Sequence, residues 1–280
     1  MNAFMKRIVL FVIGIPALYA LITFLPQARH IGFNVIVIAA SLVGSLEFEY
    51  ILIARGMPII HGLAAASGLL LPLSAYLDNF VALPVSMSSM VFILLLCFAL
   101  AREIFAQDES TYPEILPRMG QSVLSVLYPG YFMSFAARLS SLSYPQETIF
   151  VFLILVFAND TLAYIVGMLF GEKTRGVCPI SPRKSMAGFI GGFAGSCAAA
   201  WISFATVPEV FGNSLLCALI AGLCLGVSTI AGDLIESAMK RSAHIKDSGT
   251  IMLGRGGILD SIDSILFSAP IFYYILVLGR

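Results

Sequence analysis

The chain has 280 residues, of which 59% are hydrophobic and 11% charged, with a formal net charge of zero. Soluble domains carry about 25% charged residues, so this chain cannot cover itself with charge on every side, and lipid is the solvent that suits it. Its net charge gives no sign of a nucleic-acid binder or of a protein built to attract acidic partners.

The N-terminus, MNAFMKR before an apolar run, has the outline of a signal peptide. The run is long, however, and no A-x-A site closes it, so a first membrane helix is the better reading. At about 20 apolar residues per span, about nine candidate spans follow, over residues 8–25, 33–53, 59–77, 86–105, 121–137, 147–170, 186–206, 212–235 and 258–279. The connections are short, with neither a low-complexity segment nor a convincing internal repeat. The expected fold is all-α: a polytopic integral membrane helix bundle, with an N-terminal membrane-helix region over 1–145 and a region over 146–280 that carries the polar motifs. Lys and Arg set the orientation. With the N-terminus in the cytoplasm, thirteen of the sixteen fall on the inner side and only Arg29, Arg138 and Arg280 on the outer. This puts the loops 171–185 and 236–257 in the cytoplasm, where nucleotides and magnesium are available.

The second span carries Glu47 and Glu49 near its inner end. They are either boundary residues or a minor polar contact, and the sequence does not choose. His30 and His61 sit near span ends and read as incidental. The five cysteines, Cys97, Cys178, Cys197, Cys217 and Cys224, form no CxxC pair and read as small core residues.

The sixth span contains Asn159-Asp160-Thr161. An acid this deep in an apolar run is a functional candidate by default, against the alternatives of a buried protonated acid or a structural hydrogen bond. The run Gly171-Glu172-Lys173-Thr174 fails the spacing of a phosphate loop. In the next loop Ser181 and Lys184 are placed to hold a phosphate where the seventh helix begins, although Ser-Pro before a helix is also common capping chemistry. Small residues at helical spacing, Gly188, Gly192 and Ser196, then Ala218, Gly222 and Gly226, read first as packing faces.

The eighth span ends in a charged stretch. If that helix continues, Asp233, Ser237 and Lys240 share one face, with Arg241 beside them. The following loop adds Lys246, Asp247, His244 and two glycine clusters, and the ninth span opens with Asp260 and Asp263. A carboxylate near hydrocarbon costs several kcal/mol unless paired or bound to a cation. Asp233, Asp260 and Asp263 therefore suggest a divalent metal site. Oxygen ligands without His or Cys point to Mg2+, and the surrounding Lys and Arg suit phosphates. A metal, cations and a helix N-terminus together are the equipment of phosphoryl or nucleotidyl transfer. The bland alternative makes Asp260 and Asp263 helix-start residues favoured by the macrodipole and Lys240 and Arg241 mere anchors.

The stretch Ser237-x-Met239-Lys240-Arg241-x4-Lys246-Asp247-x-Gly249, continuing to Gly256-Gly257-x-x-Asp260-x-x-Asp263, resembles the signature of the phosphatidate cytidylyltransferase (CDP-diacylglycerol synthase) family. Asp160-Thr161-x-Ala163-Tyr164, Ser181-Pro182-x-Lys184 and Gly188-x-x-Gly191-Gly192 resemble its other blocks. The resemblance is detailed over the C-terminal half. It implies that CTP and phosphatidate give CDP-diacylglycerol and pyrophosphate, with Mg2+ and, as an open alternative, a second, monovalent cation. By position, Asp233 and Asp260 match metal ligands, with Asp263 and Asp247 as supporting carboxylates, and Lys240, Arg241 and Lys246 hold phosphates. Asn159, Asp160, Ser181, Lys184, Ser237 and Arg255 are the candidate substrate-binding residues. The resemblance also implies a homodimer in a bacterial inner membrane, with the site facing the cytoplasm. Three positions depart from the family: Arg255 replaces a usual histidine, Ser261 a usual arginine and Leu253 a usual proline. Arg255 supplies the cation that Ser261 lacks if the two face one site. The departures leave open a divergent substrate or an inactive member. Competing readings are a CTP-dependent kinase of a prenol or other lipid alcohol, a transporter using Asp160 and the Asp233/Asp260 cluster, and a regulatory paralogue.

Overall fold

The computed structural model describes residues 14, 16–81, 83–105, 109–250 and 256–279. Residues 8–13 and 15 of the expected first span, and both Leu253 and Arg255, lie outside them. The described residues form helices with no strand, and one isolated bridge joins Arg175 to Ser185. In chain order the helices are α1 (16–24), α2 (Gln27–Ala54), α3 (Leu63–Leu77), α4 (Met87–Ala101), α5 (Tyr112–Ser125), α6 (Phe132–Arg138), α7 (Pro145–Phe170), α8 (Met186–Thr206), α9 (Leu215–Ser242) and α10 (Leu259–Leu278).

Six helical stretches among the described residues are long and apolar enough to cross a membrane: α2, α4 with its 3-10 extension to Phe105, α7, α8, α9 and α10. The chain is an integral membrane protein; the expected count of nine is not confirmed among the described residues. The third candidate, 59–77, is helical only from Leu63, after Gly62 in a left-handed turn, and its 15 residues are short for a span. At 1.5 Å per residue they cover about 22 Å, against a hydrocarbon core of about 30 Å. The fifth, 121–137, is not one α-helix. A π-helical segment, Val126–Tyr131, separates α5 from α6. Pro129 lies inside it, and a proline has no N–H to give the helical ladder.

The chain divides into two compact units, 1–141 with 239–262, and 142–238 with 263–280. The division falls inside α9 and α10, so the polar stretch expected to lie in one C-terminal region is apportioned between them.

In the first unit, α2 begins with three consecutive left-handed residues, Ala28, Arg29 and His30. Each costs about 1–2 kcal/mol in that conformation, and side chains hold them there. Tyr76 Oη donates to Ala28 O at 2.8 Å, and Asn34 Nδ2 donates to Arg29 O and His30 O, each at 3.1 Å. Below this turn α2 crosses α3 at Gly68, where an added Cβ would meet the Ser45 hydroxyl and lie 2.7 Å from Ser41 O. The π segment packs on α3 at Gly130, where an added Cβ would lie 2.8 Å from the Ser67 backbone. Leu63, Leu71, Ala99 and Val126 form the core here, with Phe92 stacked on Tyr131.

Asp78 caps α4 from outside the helix. Its carboxylate accepts from Met87 N at 2.6 Å and from the Ser86 and Ser88 hydroxyls at 2.7 and 2.8 Å. Burial works to raise the pKa of Asp78. Hydrogen bonds from Ser86 and Ser88 and from the amides of Met87 and Ser88 outweigh it and hold the carboxyl below its ordinary 3.8.

In the second unit, α7 and α8 pack closely because α8 presents Gly188, Gly191, Gly192 and Gly195 to α7. Added Cβ atoms at the last three would press on Val166, Asn159 and Ala158. Gly222 and Gly226 of α9 meet α8 at Ala200 and Phe193 in the same way. Phe152 stacks on Phe272 of α10 at 5.4 Å between centroids.

Two outcomes follow. Gly68→Ala forces a methyl group against the Ser41 carbonyl and destabilises the fold by about 1–3 kcal/mol, read as a lower unfolding temperature of the detergent-purified protein. Asp78→Ala removes the cap of α4 at a cost of about 1 kcal/mol. Because the folded pKa of Asp78 is depressed, its contribution is complete above 3.8 and lost as pH falls through the lower folded value. The stability difference between wild type and Asp78→Ala is therefore full at neutral pH and closes in acid.

Candidate functional site

The helix of the charged stretch does continue. α9 runs to Ser242, so Asp233, Glu236, Ser237, Lys240 and Arg241 all ride on one helix, and Asp260 stands in the first turn of α10. Two polar clusters result, one in each unit.

In the first unit, α9 is closed by His244 in the left-handed conformation, φ 58°, and Ile245 N returns to Lys240 O at 3.0 Å. Arg241, exposed, donates to Ile245 O at 2.9 Å. This end brings Lys240 onto Asp260, and the two form an ion pair. The other oxygen of Asp260 organises the loop. Asp260 Oδ2 accepts from Ser248 N and Ser248 Oγ, both at 2.9 Å, and from Gly257 N at 2.8 Å. Gly256, at φ 101°, has the backbone freedom this turn needs, and an added Cβ there would stand 2.5 Å from Asp260 Oδ2. Lys246 and Asp247 are exposed in the same loop.

Beneath that loop lies Glu47 of α2, a buried carboxylate. It accepts from Ser248 Oγ at 3.0 Å, Ile258 N at 3.0 Å and Leu259 N at 2.8 Å. The two amides are orphan donors at the N-terminus of α10, and Glu47 caps them from 211 and 212 residues away. Gly249 and Gly257 are both packed against its carboxylate, so neither has room for a Cβ. Ser248 Oγ lies within reach of Glu47 and of Asp260, and its one proton cannot serve both at once. Truncating Glu47 would strand these donors, at about 1–3 kcal/mol for each that stays buried.

In the second unit, Lys184 forms an ion pair with Asp233. The loop before α8 fixes Lys184. Its amide donates to Ser181 O at 3.0 Å and its carbonyl accepts from Gly176 N at 3.3 Å, while Ser185 Oγ caps α8 through Gly188 N at 3.1 Å. Ser181 thus serves through its backbone here. Asp263 is buried, and the charges of Asp233, Glu236 and Asp160 act on it. Ser264 N donates to Asp263 Oδ1 at 2.6 Å, and Ser264 Oγ reaches Asp160 Oδ1 at 3.5 Å. Ser237 and Glu236 are buried on the same helix as Asp233. Asn159 is also buried, and its amide donates to Ser196 Oγ and Gly226 O, each at 3.1 Å. That places its amide in the packing of α7, α8 and α9.

Of the three expected metal ligands, Asp233 and Asp263 fall in the second unit and Asp260 in the first. Among the described residues no three His, Cys, Asp or Glu side chains come together closely enough, as they stand, to hold a metal ion. The donor chemistry of the second unit still fits a hard divalent cation: carboxylate oxygens and no softer ligand, with several like charges acting on a buried acid. Ser261 Oγ donates back to Gly257 O at 3.2 Å; the expected partner at Arg255 lies outside the described residues.

Sequence reasoning gave no role to Ser248 or Glu236 and left Glu47 open between a boundary residue and a minor polar contact. A signal existed for Glu47, an acid inside an apolar span, but nothing in the sequence points from position 47 to a loop some two hundred residues away.

Comparison with known proteins adds the lineage. The sequence model of the cytidylyltransferase family matches residues 5–278. The chain is 34% identical over 216 residues to the phosphatidate cytidylyltransferase of Synechocystis sp., covering 66% of this chain and 68% of that protein. To the phosphatidate cytidylyltransferase of Aquifex aeolicus it is 33% identical over 233 residues, covering 71% and 85%. It is also 39% identical over 117 residues to YnbB of Escherichia coli K12, an uncharacterised protein, but that match spans only 42% of this chain and 38% of YnbB. A family match that runs almost end to end, over helices that carry the acidic and basic residues just described, leaves one conclusion: the chain belongs to the cytidylyltransferase family and is a membrane-embedded nucleotidyltransferase.

Proposed function

We propose that the chain transfers CMP from CTP to phosphatidate, giving CDP-diacylglycerol and pyrophosphate. The observation that carries this reading is the pair of Lys–Asp contacts, Lys184 with Asp233 and Lys240 with Asp260, in the segments that match the family's blocks. Its relatives in Synechocystis and Aquifex are phosphatidate cytidylyltransferases.

The chemistry asks little in the way of proton transfer. A phosphate oxygen of phosphatidate is already anionic and attacks the α-phosphorus of CTP. The bond from that phosphorus to the oxygen bridging to the β-phosphate breaks, and pyrophosphate leaves with the electron pair. The difficulty is to bring two anions together in line. Lys184, Lys240, Arg241 and Lys246 supply the neutralising charge, and Arg255 joins them in this proposal. Lys184 is fixed by the loop 175–185, and Lys240 by the end of α9. Asp233 and Asp263 are the proposed Mg2+ ligands of the second unit and Asp260 that of the first, with Asp247 and Asp160 in support. When bound, Mg2+ offsets the charge that develops on the leaving phosphates. The excess of Lys and Arg on one side of the spans supports a cytoplasmic site in the inner membrane. A homodimer is part of the same proposal.

The test is direct. Purified protein in detergent micelles receives Mg2+, phosphatidate and CTP labelled at either the α- or the γ-phosphate. The α-label is expected in lipid and the γ-label in pyrophosphate, and EDTA abolishes both. With a prenol supplied in place of phosphatidate, a γ-label that ends in lipid, with CDP released, identifies a kinase instead. Asp233→Asn and Asp260→Asn each lower kcat/KM by about 10^2-fold or more; wild-type rates in either would sink the site assignment.

A further inference from the structure

The signature loop is built on a residue that lies outside the signature. Glu47 sits on α2, and its two carboxylate oxygens are taken by Ser248 Oγ, Ile258 N and Leu259 N. Two of these three donors flank Asp260 directly in structure. Ser248 donates to Asp260 through both its amide and its hydroxyl, and Leu259 precedes it in the chain. Gly257, the third donor to Asp260, is also packed against the Glu47 carboxylate. Every group that orients Asp260, apart from Lys240, therefore rests on Glu47 or is bonded to something that does.

We propose that Glu47 is a positioning residue for cytidylyl transfer, setting the loop and the first turn of α10 so that Asp260 and its partner Lys240 are aimed at the CTP phosphates and their metal. Glu47 does not touch substrate in this role, because its oxygens are occupied. It acts on Asp260 as an outer hydrogen-bond partner acts on a metal ligand, by fixing its direction. The inference rests on the proposed function for the identity of the reaction.

The role makes a specific division among kinetic constants. Loss of such a partner costs about 10–100-fold in metal affinity, whereas a lipid site that Glu47 does not help to form is left alone. Glu47→Gln keeps the volume of the side chain but turns an –NH2 group toward donors. It is expected to raise the half-saturating Mg2+ concentration and the KM for CTP about ten-fold or more, with the KM for phosphatidate changed less than about two-fold by the same argument. Ser248→Ala, which removes one donor and no charge, shifts the same two constants in the same direction by less.

Hydrogen exchange at Gly257, Ile258 and Leu259 supplies a readout that needs no turnover. These amides are protected in wild type and exchange faster in Glu47→Gln. Unchanged protection overturns the inference, whatever the activity. Faster exchange with wild-type dependence on Mg2+ and CTP also overturns it, as does a rise confined to the KM for phosphatidate. Should Glu47→Gln fail to fold, Ser248→Ala carries both measurements. A wild-type protein that releases no pyrophosphate overturns the proposed function instead, and the exchange result still judges Glu47.

Discussion

A carboxylate carried by an apolar helix has to be matched where it stands, because lipid cannot solvate it and the nearest water lies beyond the span. Three of the acids described here, Glu47, Asp233 and Asp260, are matched in one of two ways. Asp233 and Asp260 take a lysine each, Lys184 and Lys240. Glu47 and Asp260 take backbone amides at a helix start, together with the hydroxyl of Ser248. The local conformations serve that matching. The left-handed His244 ends α9 where Lys240 meets Asp260, and Gly256 turns the chain so that Gly257 N faces the same carboxylate.

The membrane character, the helical class and the position of the charged stretch were legible in the sequence, because each rests on a strong and local signal. Apolar runs of span length are rare by chance, and the acids that begin α10 follow the spacing of a helix face. Element ends were less legible. The span expected over 121–137 read as continuous because its residues are apolar throughout, and composition does not register that Pro129 withdraws a donor and that Gly130 must approach Ser67. The apolar span ended at 235 and left open whether the helix continued; its charged turn stays helical to Ser242 with Lys240 engaged by Asp260.

The site itself was legible by residue type and only partly by arrangement. Asp233, Asp260, Lys184 and Lys240 announce themselves as charges among apolar neighbours. Their pairing does not, because it depends on which loop reaches which helix. Asn159 illustrates the limit in the other direction. An amide next to Asp160 in an apolar run reads as a substrate contact, yet the closeness of α7 and α8, made possible by Gly192, turns it toward Ser196 and Gly226.

The packing of Gly249 and Gly257 against Glu47 has a consequence for how such a chain can evolve. Position 47 and positions 249 and 257 share one small volume, although about two hundred residues separate them. While a glutamate stands at 47, any side chain at 249 or 257 collides with its carboxylate; once the glutamate is gone Gly249 loses that reason to be glycine, Gly257 is still held by the Ser248 hydroxyl, and the first amides of α10 lose their acceptor. The three positions form a linked set, and among relatives of this chain they should drift together or not at all.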